Sequence, residues 1–199
     1  MPSARSGLRI ETRKKIIKNS ASLLNHVGYL SVSVAELEKA TGESKAVLYG
    51  YFVNKDALAM AVLDYSLEQK REQINDFVKL CEDNRDKLNA HVMFYYPAME
   101  SSFNWDDCQL FNAAIEAGTH HEGMRQKVAR ALLEWKQDLV NIIHAGIRDD
   151  EFKPGIQADD IAWQLISLIE SAVIISKTTQ NRDLGIKLLN QAKCLVTNL

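Results

Sequence analysis

Little in this chain would staple it or break its helices: 199 residues hold three cysteines and three prolines. Cys81, Cys108 and Cys194 are scattered and odd in number, so no disulfide framework is implied, and a reducing cytoplasm is the expected setting. No signal peptide opens the chain, and no apolar run reaches the ~18 residues of a membrane helix. The longest candidate, Ile161 to Ser176, is interrupted by Gln164, Ser167, Glu170 and Ser171, so no membrane partner is expected. Strand-like alternation and internal repeats are also missing, which points to an all-α fold. No nucleophile–base set, phosphate loop or metal motif appears, so the expectation is no enzyme, no catalytic residue and no cofactor. His120-His121-Glu122 comes nearest to a metal cluster, but it lacks helical i, i+4 spacing and sits in a polar stretch.

The chain also lacks a strong overall charge, with a formal net of -2, yet its charges are unevenly spread. Through Lys55 there are nine basic residues against four acidic ones, whereas the remainder holds 15 basic against 22 acidic. That asymmetry suits a polyanion-binding head on an acidic body. A hydrophobic content of 46% and a charged content of 25% are ordinary for a globular protein with a real core.

The most informative stretch runs from Gly42 to Lys55. Gly42 can take the positive φ that a sharp turn between helices requires. Ser44 is a natural N-cap for a short helix from Lys45 to about Tyr51, with Lys45, Ala46, Tyr49 and Gly50 on its outer side. Asn54 caps the next helix, with Asp56 in its first turn. Upstream, Ser33-Val-Ala-Glu36 reads as a capping box that opens a helix from about Val34 to Thr41. Two short helices about a glycine turn make a helix-turn-helix, whose second helix is built to enter a DNA major groove.

The rest reads as helices in series. Residues 1 to 11 lack periodicity and read as a mobile basic arm. Thr12 to Val27 is the first firm helix, closed by Gly28 as a left-handed cap. A brace follows from Lys55 to about Cys81, then a helix from Lys87 to about Phe103 in which Pro97 predicts a kink. Further helices are expected over Cys108 to Ala117, Met124 to Asp149, Ala158 to Lys177 and Asp183 to Thr197. The helix from Ala158 is apolar on nearly all sides, so another copy of the chain is expected to cover part of it. The expected division is 1–53 as a helix-turn-helix domain with its arm. Residues 54–199 then form a helical body, with 54–81 connecting the two.

Gly28-Tyr29, Ser33-Val34, Leu37, Gly42, Ser44-Lys45, Leu48-Tyr49, Phe52, Lys55 and Leu58 together resemble the DNA-binding domain of TetR/AcrR-type bacterial repressors, over about fifty residues. The resemblance implies a homodimer through the last two helices, middle helices around an effector pocket, and double-stranded DNA with a two-fold or near two-fold operator as partner. It also implies phosphate contacts from Ser33, Tyr49 and Lys55, which hold register without reading sequence. Base reading would fall to Lys45, Ala46, Val47 and Gly50, and Ser44, which caps their helix, is counted with them among the DNA-binding residues. Ala46, Val47 and Gly50 depart from the Gly, Thr and large residue frequent in the family, and Glu43 from its usual Val. Ala and Val offer methyl contacts, such as to thymine. Gly50 inside a helix costs about 1 kcal/mol against Ala, which close approach to DNA or close helix packing would justify.

The aromatic and apolar stock of the body favours a hydrophobic small-molecule effector. Tyr95, Met99, Phe103, Phe111, Trp135 and Trp163 are candidate lining residues, and His91, Glu116 and His144 are candidate orienting groups. The segment from Trp105 to Glu116 resembles one subgroup of the family, in some members of which a cysteine matching Cys108 senses electrophiles. A helix start can lower a thiol pKa, but Asp106 and Asp107 oppose that, and a structural thiol is the competing reading. The function expected is a ligand-responsive transcriptional regulator, a repressor released from its operator by a hydrophobic or electrophilic effector. The alternatives are an architectural DNA binder without an effector and an all-α enzyme with a structural head.

Overall fold

A computed structural model describes residues 4–97, 109–118 and 121–199. Among them are nine α-helices and no strand. In chain order these are α1 (Ala4–Val27), α2 (Val34–Thr41), α3 (Lys45–Tyr51), α4 (Lys55–Val78) and α5 (Asn84–Met93). They are followed by α6 (Gln109–Ala117), α7 (Glu122–Arg148), α8 (Ala158–Thr179) and α9 (Arg182–Thr197).

The chain divides into two compact units. The first comprises residues 1–69 and 109–128, and the second 70–108 and 129–199. The expected break after residue 53 follows the helix-turn-helix alone. The compact unit reaches further along α4, and it includes a second stretch that the chain supplies only after a first passage through the other unit.

In the first unit, α1 begins at Ala4, so residues 4–11 are helical and not the irregular arm expected. Contacts with α3 and the residue after it account for the difference. The Arg9 guanidinium donates to the Gly50 carbonyl at 3.3 Å and lies 5.7 Å from the Tyr51 ring centre, while Arg13 lies 5.0 Å from that of Phe52. Local periodicity cannot show such ties. Ile16, Ile17, Ser20 and Leu24 face the core with Tyr29, Leu37, Leu48, Phe52, Leu58 and Val62, and the Ser20 hydroxyl is satisfied by the Ile16 carbonyl at 2.9 Å.

In the second unit, α5 starts at Asn84 because Asp83 accepts the Asp86 N–H at 2.6 Å. It stops at Met93 and does not continue to the kink expected at Pro97. A proline ring clashes with the carbonyl four residues earlier, which here belongs to Met93. The Glu151 carboxylate caps the same helix start, accepting from the Asn84 and Arg85 N–H groups at 2.8 and 3.1 Å. Arg85 donates to the carbonyls of Glu151 and Thr197 at 3.0 and 2.9 Å, joining α5, the turn after α7 and the end of α9. After the Gln180-Asn181 turn, α9 packs against α8, with Leu165, Ile169, Leu189, Ala192 and Val196 buried.

Candidate nucleic-acid interface

The helix-turn-helix is held by local bonds that its sequence dictates. The Ser33 hydroxyl accepts the Glu36 N–H at 3.2 Å, and Glu36 accepts the Ser33 N–H at 2.8 Å, completing the capping box. The Ser33 hydroxyl also donates to Glu36 at 2.6 Å, and these bonds lower the Glu36 pKa. Gly42, at φ 71°, closes α2 in the left-handed region. Ser44 caps α3 by accepting the Val47 N–H at 3.4 Å, while Glu38 reaches across the turn to the Lys45 N–H at 2.6 Å. Four donors at an α-helix start lack intrahelical partners, and here two side chains supply acceptors for two of them. Asn54 caps α4 through the Ala57 N–H at 2.7 Å.

This scaffold leaves one face of α3 open. Ser44, Lys45, Ala46, Tyr49 and Gly50 are exposed, Val47 is half-buried and Leu48 is buried. The Lys45 ammonium lies 5.9 Å from the centre of the Tyr49 ring. A methyl group added at Gly50 would meet nothing within 4 Å, so close helix packing is not what this glycine serves. Ser33 is exposed at the start of α2. Lys55 is half-buried, and its ammonium donates to the Leu30 and Val32 carbonyls at 2.7 and 2.8 Å. It therefore ties down the turn before α2 and keeps one N–H beyond those two bonds. Lys14, Lys15, Lys18 and Lys39 add exposed positive charge to the unit.

The candidate effector residues among those described belong to both units. His91, Tyr95 and Trp135 come together in the second unit. The Trp135 indole N–H donates to His91 Nδ1 at 3.1 Å, and the Tyr95 ring stacks on Trp135 with centres 6.3 Å apart. Burial pushes the His91 pKa down to about 4. Phe111 and Glu116 belong to the first unit, where Glu116 accepts the backbone N–H groups of Tyr29 and Leu30 at 3.1 and 2.8 Å. His144 is exposed on α7 and Trp163 is 40% exposed on α8. Met99, Phe103 and Cys108 lie outside the described residues, as does His120. His121 accepts the Met124 N–H with Nδ1 at 3.0 Å, so Nε2 carries the proton and donates to the Asp56 carboxylate at 2.6 Å, and the ring serves as a helix cap.

Sequence reasoning passed over Glu38 and gave Glu116 another role. Glu38 lies seven residues before Lys45, a spacing that becomes a contact only because the Gly42 turn folds α3 back. Glu116 finds partners 86 and 87 positions away, which no local pattern announces.

A capped helix-turn-helix with an exposed second helix, joined to an all-helical body, defines a helical DNA-binding regulator. Comparison with known proteins identifies the family. A model described as bacterial regulatory proteins, tetR family, matches residues 16–62, and one described as tetracyclin repressor-like, C-terminal domain, matches residues 85–188. A TetR-family transcriptional regulator of known structure from Cytophaga hutchinsonii is 31% identical with a TM-score of 0.92, over 100% of this chain and 98% of that one. A TetR transcriptional regulator from Chloroflexus aurantiacus J-10-FL is 25% identical with a TM-score of 0.87, over 95% of this chain and 96% of that one. The HTH-type transcriptional regulator LmrA of Bacillus subtilis is 21% identical over 186 residues, 93% of this chain and 95% of its own length. The chain belongs to the TetR family of transcriptional regulators. Among the described residues, no single helix is long and apolar enough to cross a membrane.

Proposed function

We propose that the protein is a homodimeric repressor in the cytoplasm that holds a two-fold operator and releases it when a small hydrophobic or electrophilic effector binds the body. The observation that carries this reading is the open face of α3. Lys45, Ala46, Tyr49 and Gly50 stand exposed on a helix fixed at its start by Ser44 and Glu38. Tyr49 and Ser33 offer hydroxyls to phosphates, and Lys55 offers an ammonium whose other bonds fix its position. Ala46, Val47 and the bare backbone at Gly50 favour close approach and methyl contacts over a dense set of hydrogen bonds to base edges. The cluster of His91, Tyr95 and Trp135 supports an effector site in the body, since it joins aromatic surface to a buried polar group. An effector that prefers the DNA-free shape must weaken DNA binding, and DNA must weaken effector binding by the same factor.

The test is selection of genomic fragments by the purified protein, followed by binding to the enriched sequence across a salt titration. A two-fold sequence should emerge, with affinity that falls steeply with salt. Lys45→Ala should shift base preference, whereas Tyr49→Ala should weaken all sequences alike. Absence of any enriched sequence, or binding indifferent to salt, would overturn the reading.

A further inference from the structure

The turn between α1 and α2, residues 28–32, is gripped by two side chains of opposite charge. Glu116, in the last turn of α6, accepts the N–H groups of Tyr29 and Leu30 with one carboxylate oxygen each, at 3.1 and 2.8 Å. Lys55, in the first turn of α4, donates to the carbonyls of Leu30 and Val32 at 2.7 and 2.8 Å. Leu30 is therefore bonded through both its N–H and its C=O. Gly28 makes room for this arrangement. A Cβ there would lie 2.8 Å from Glu116 Oε1, and its φ of 107° also disfavours a side chain.

The helix carrying Glu116 gains nothing from it locally, because a carboxylate near a helix C-terminus opposes the macrodipole. The same stretch of chain is fixed to the first unit at two further points. His121 pairs with Asp56 in the first turn of α4 at 2.6 Å, and Lys127 with Asp64 at 2.7 Å. All three ties lie in residues 109–128, the stretch with which the chain returns to the first unit after residues 70–108.

We infer that Glu116 is a positioning residue for DNA binding: its carboxylate holds the turn that sets both Ser33 and Lys55, and so couples the placement of α6 to operator affinity. Ser33, the N-cap of α2, follows directly on this turn, and Lys55 bonds to it. Two of the three phosphate-contact candidates thus take their position from a segment that Glu116 anchors. Displacement of α6 withdraws two acceptors at once and lets the start of α2 shift relative to α3. This inference relies on the operator-binding role proposed above.

The experiment compares wild type, Glu116→Gln and Glu116→Ala in three measurements: thermal unfolding, backbone amide exchange, and binding to the fragment that wild type enriches from genomic DNA. The glutamine amide keeps one acceptor oxygen and the alanine none, so graded losses are expected. Operator affinity should fall roughly 5- to 20-fold for the alanine variant and less for the glutamine variant. The slope of affinity against salt should fall by no more than about one, the share of Lys55, because Glu116 itself neutralises no phosphate. Exchange should quicken at the amides of Tyr29 and Leu30. A purely stabilising Glu116 would lower Tm and leave the affinity of the folded protein untouched, and that result in either variant overturns the inference. The glutamine variant decides the matter if the alanine variant does not fold. Failure of wild type itself to bind any fragment overturns the operator reading and this inference with it. Wild-type binding matched by a folded Glu116→Ala overturns the inference alone.

Discussion

The imidazole of His91 accepts a bond from the Trp135 indole, which can only donate, so Nδ1 carries no proton and the neutral ring holds its proton on Nε2. Burial lowers its pKa to about 4, against about 6.5 in an unfolded chain. Between those values the unfolded state binds a proton that the folded state does not. The folded state is therefore favoured above pH 6.5, and this contribution is lost as pH falls toward 4. The full span corresponds to roughly 3 kcal/mol. His91→Gln should lower stability at pH 7, and the gap between variant and wild type should narrow as the pH approaches 4 in denaturant titrations. A constant gap across that range would show that His91 is not held neutral by burial. Gly50 gives a second test at this scale, in which stability and binding should move in opposite directions. Its Cβ position is open, so Gly50→Ala should stabilise the protein by about 1 kcal/mol. The same methyl group stands on the exposed face of α3 and should weaken operator binding. Unchanged operator affinity would mean that DNA does not approach the backbone there.

At the scale of elements, α2 and α3 each begin on caps that act over a short stretch of chain. Ser33, Glu36, Gly42 and Ser44 act on backbone groups within a few residues, and those caps were legible in the sequence as spacings. The helical start of α1 was not, because residues 4–11 carry no clear periodicity and are held by Arg9 and Arg13 against α3 and Phe52. The end of α5 was half legible: Pro97 signalled an interruption, but not that the helix would stop at Met93. Membership of residues 109–128 in the first unit was illegible, since it depends on Glu116, His121 and Lys127 meeting partners far along the chain. Lys55 shows how local and long-range roles combine. Its place at the start of α4 was evident, and its grip on the Leu30 and Val32 carbonyls was not. Lys55→Ala should lower Tm through loss of those bonds and should also weaken operator binding. If the remaining N–H meets a phosphate, the salt slope falls by about one. Lower affinity with the wild-type slope would assign Lys55 to the turn alone.

At the scale of the whole molecule, the two-fold recognition proposed above needs two heads, and the proposed pairing can be tested on α8. Its apolar residues divide between two environments. Leu165, Ile166, Ile169 and Val173 are buried within the chain, so part of the surplus read from the sequence is covered internally. Trp163 and Ile175 remain exposed, with Ser167 and Ser171 between them on the outer side of the same helix. Small residues there allow a second helix to approach closely, and the two large ones supply apolar area for an isologous contact. The distinction decides which substitution tests pairing. Asp at Ile169 would place a charge in the chain's own core and unfold it. Ile175→Asp alters an exposed side chain and should leave each chain folded while separating the pair. Sedimentation at micromolar concentration should then report dimers for wild type and monomers for Ile175→Asp, with equal helix content by circular dichroism. Loss of the second head should lower affinity for a two-fold operator by roughly 100-fold or more, while binding to an isolated half-site stays the same. If Ile175→Asp remains dimeric and binds the full operator as wild type does, pairing runs through another surface.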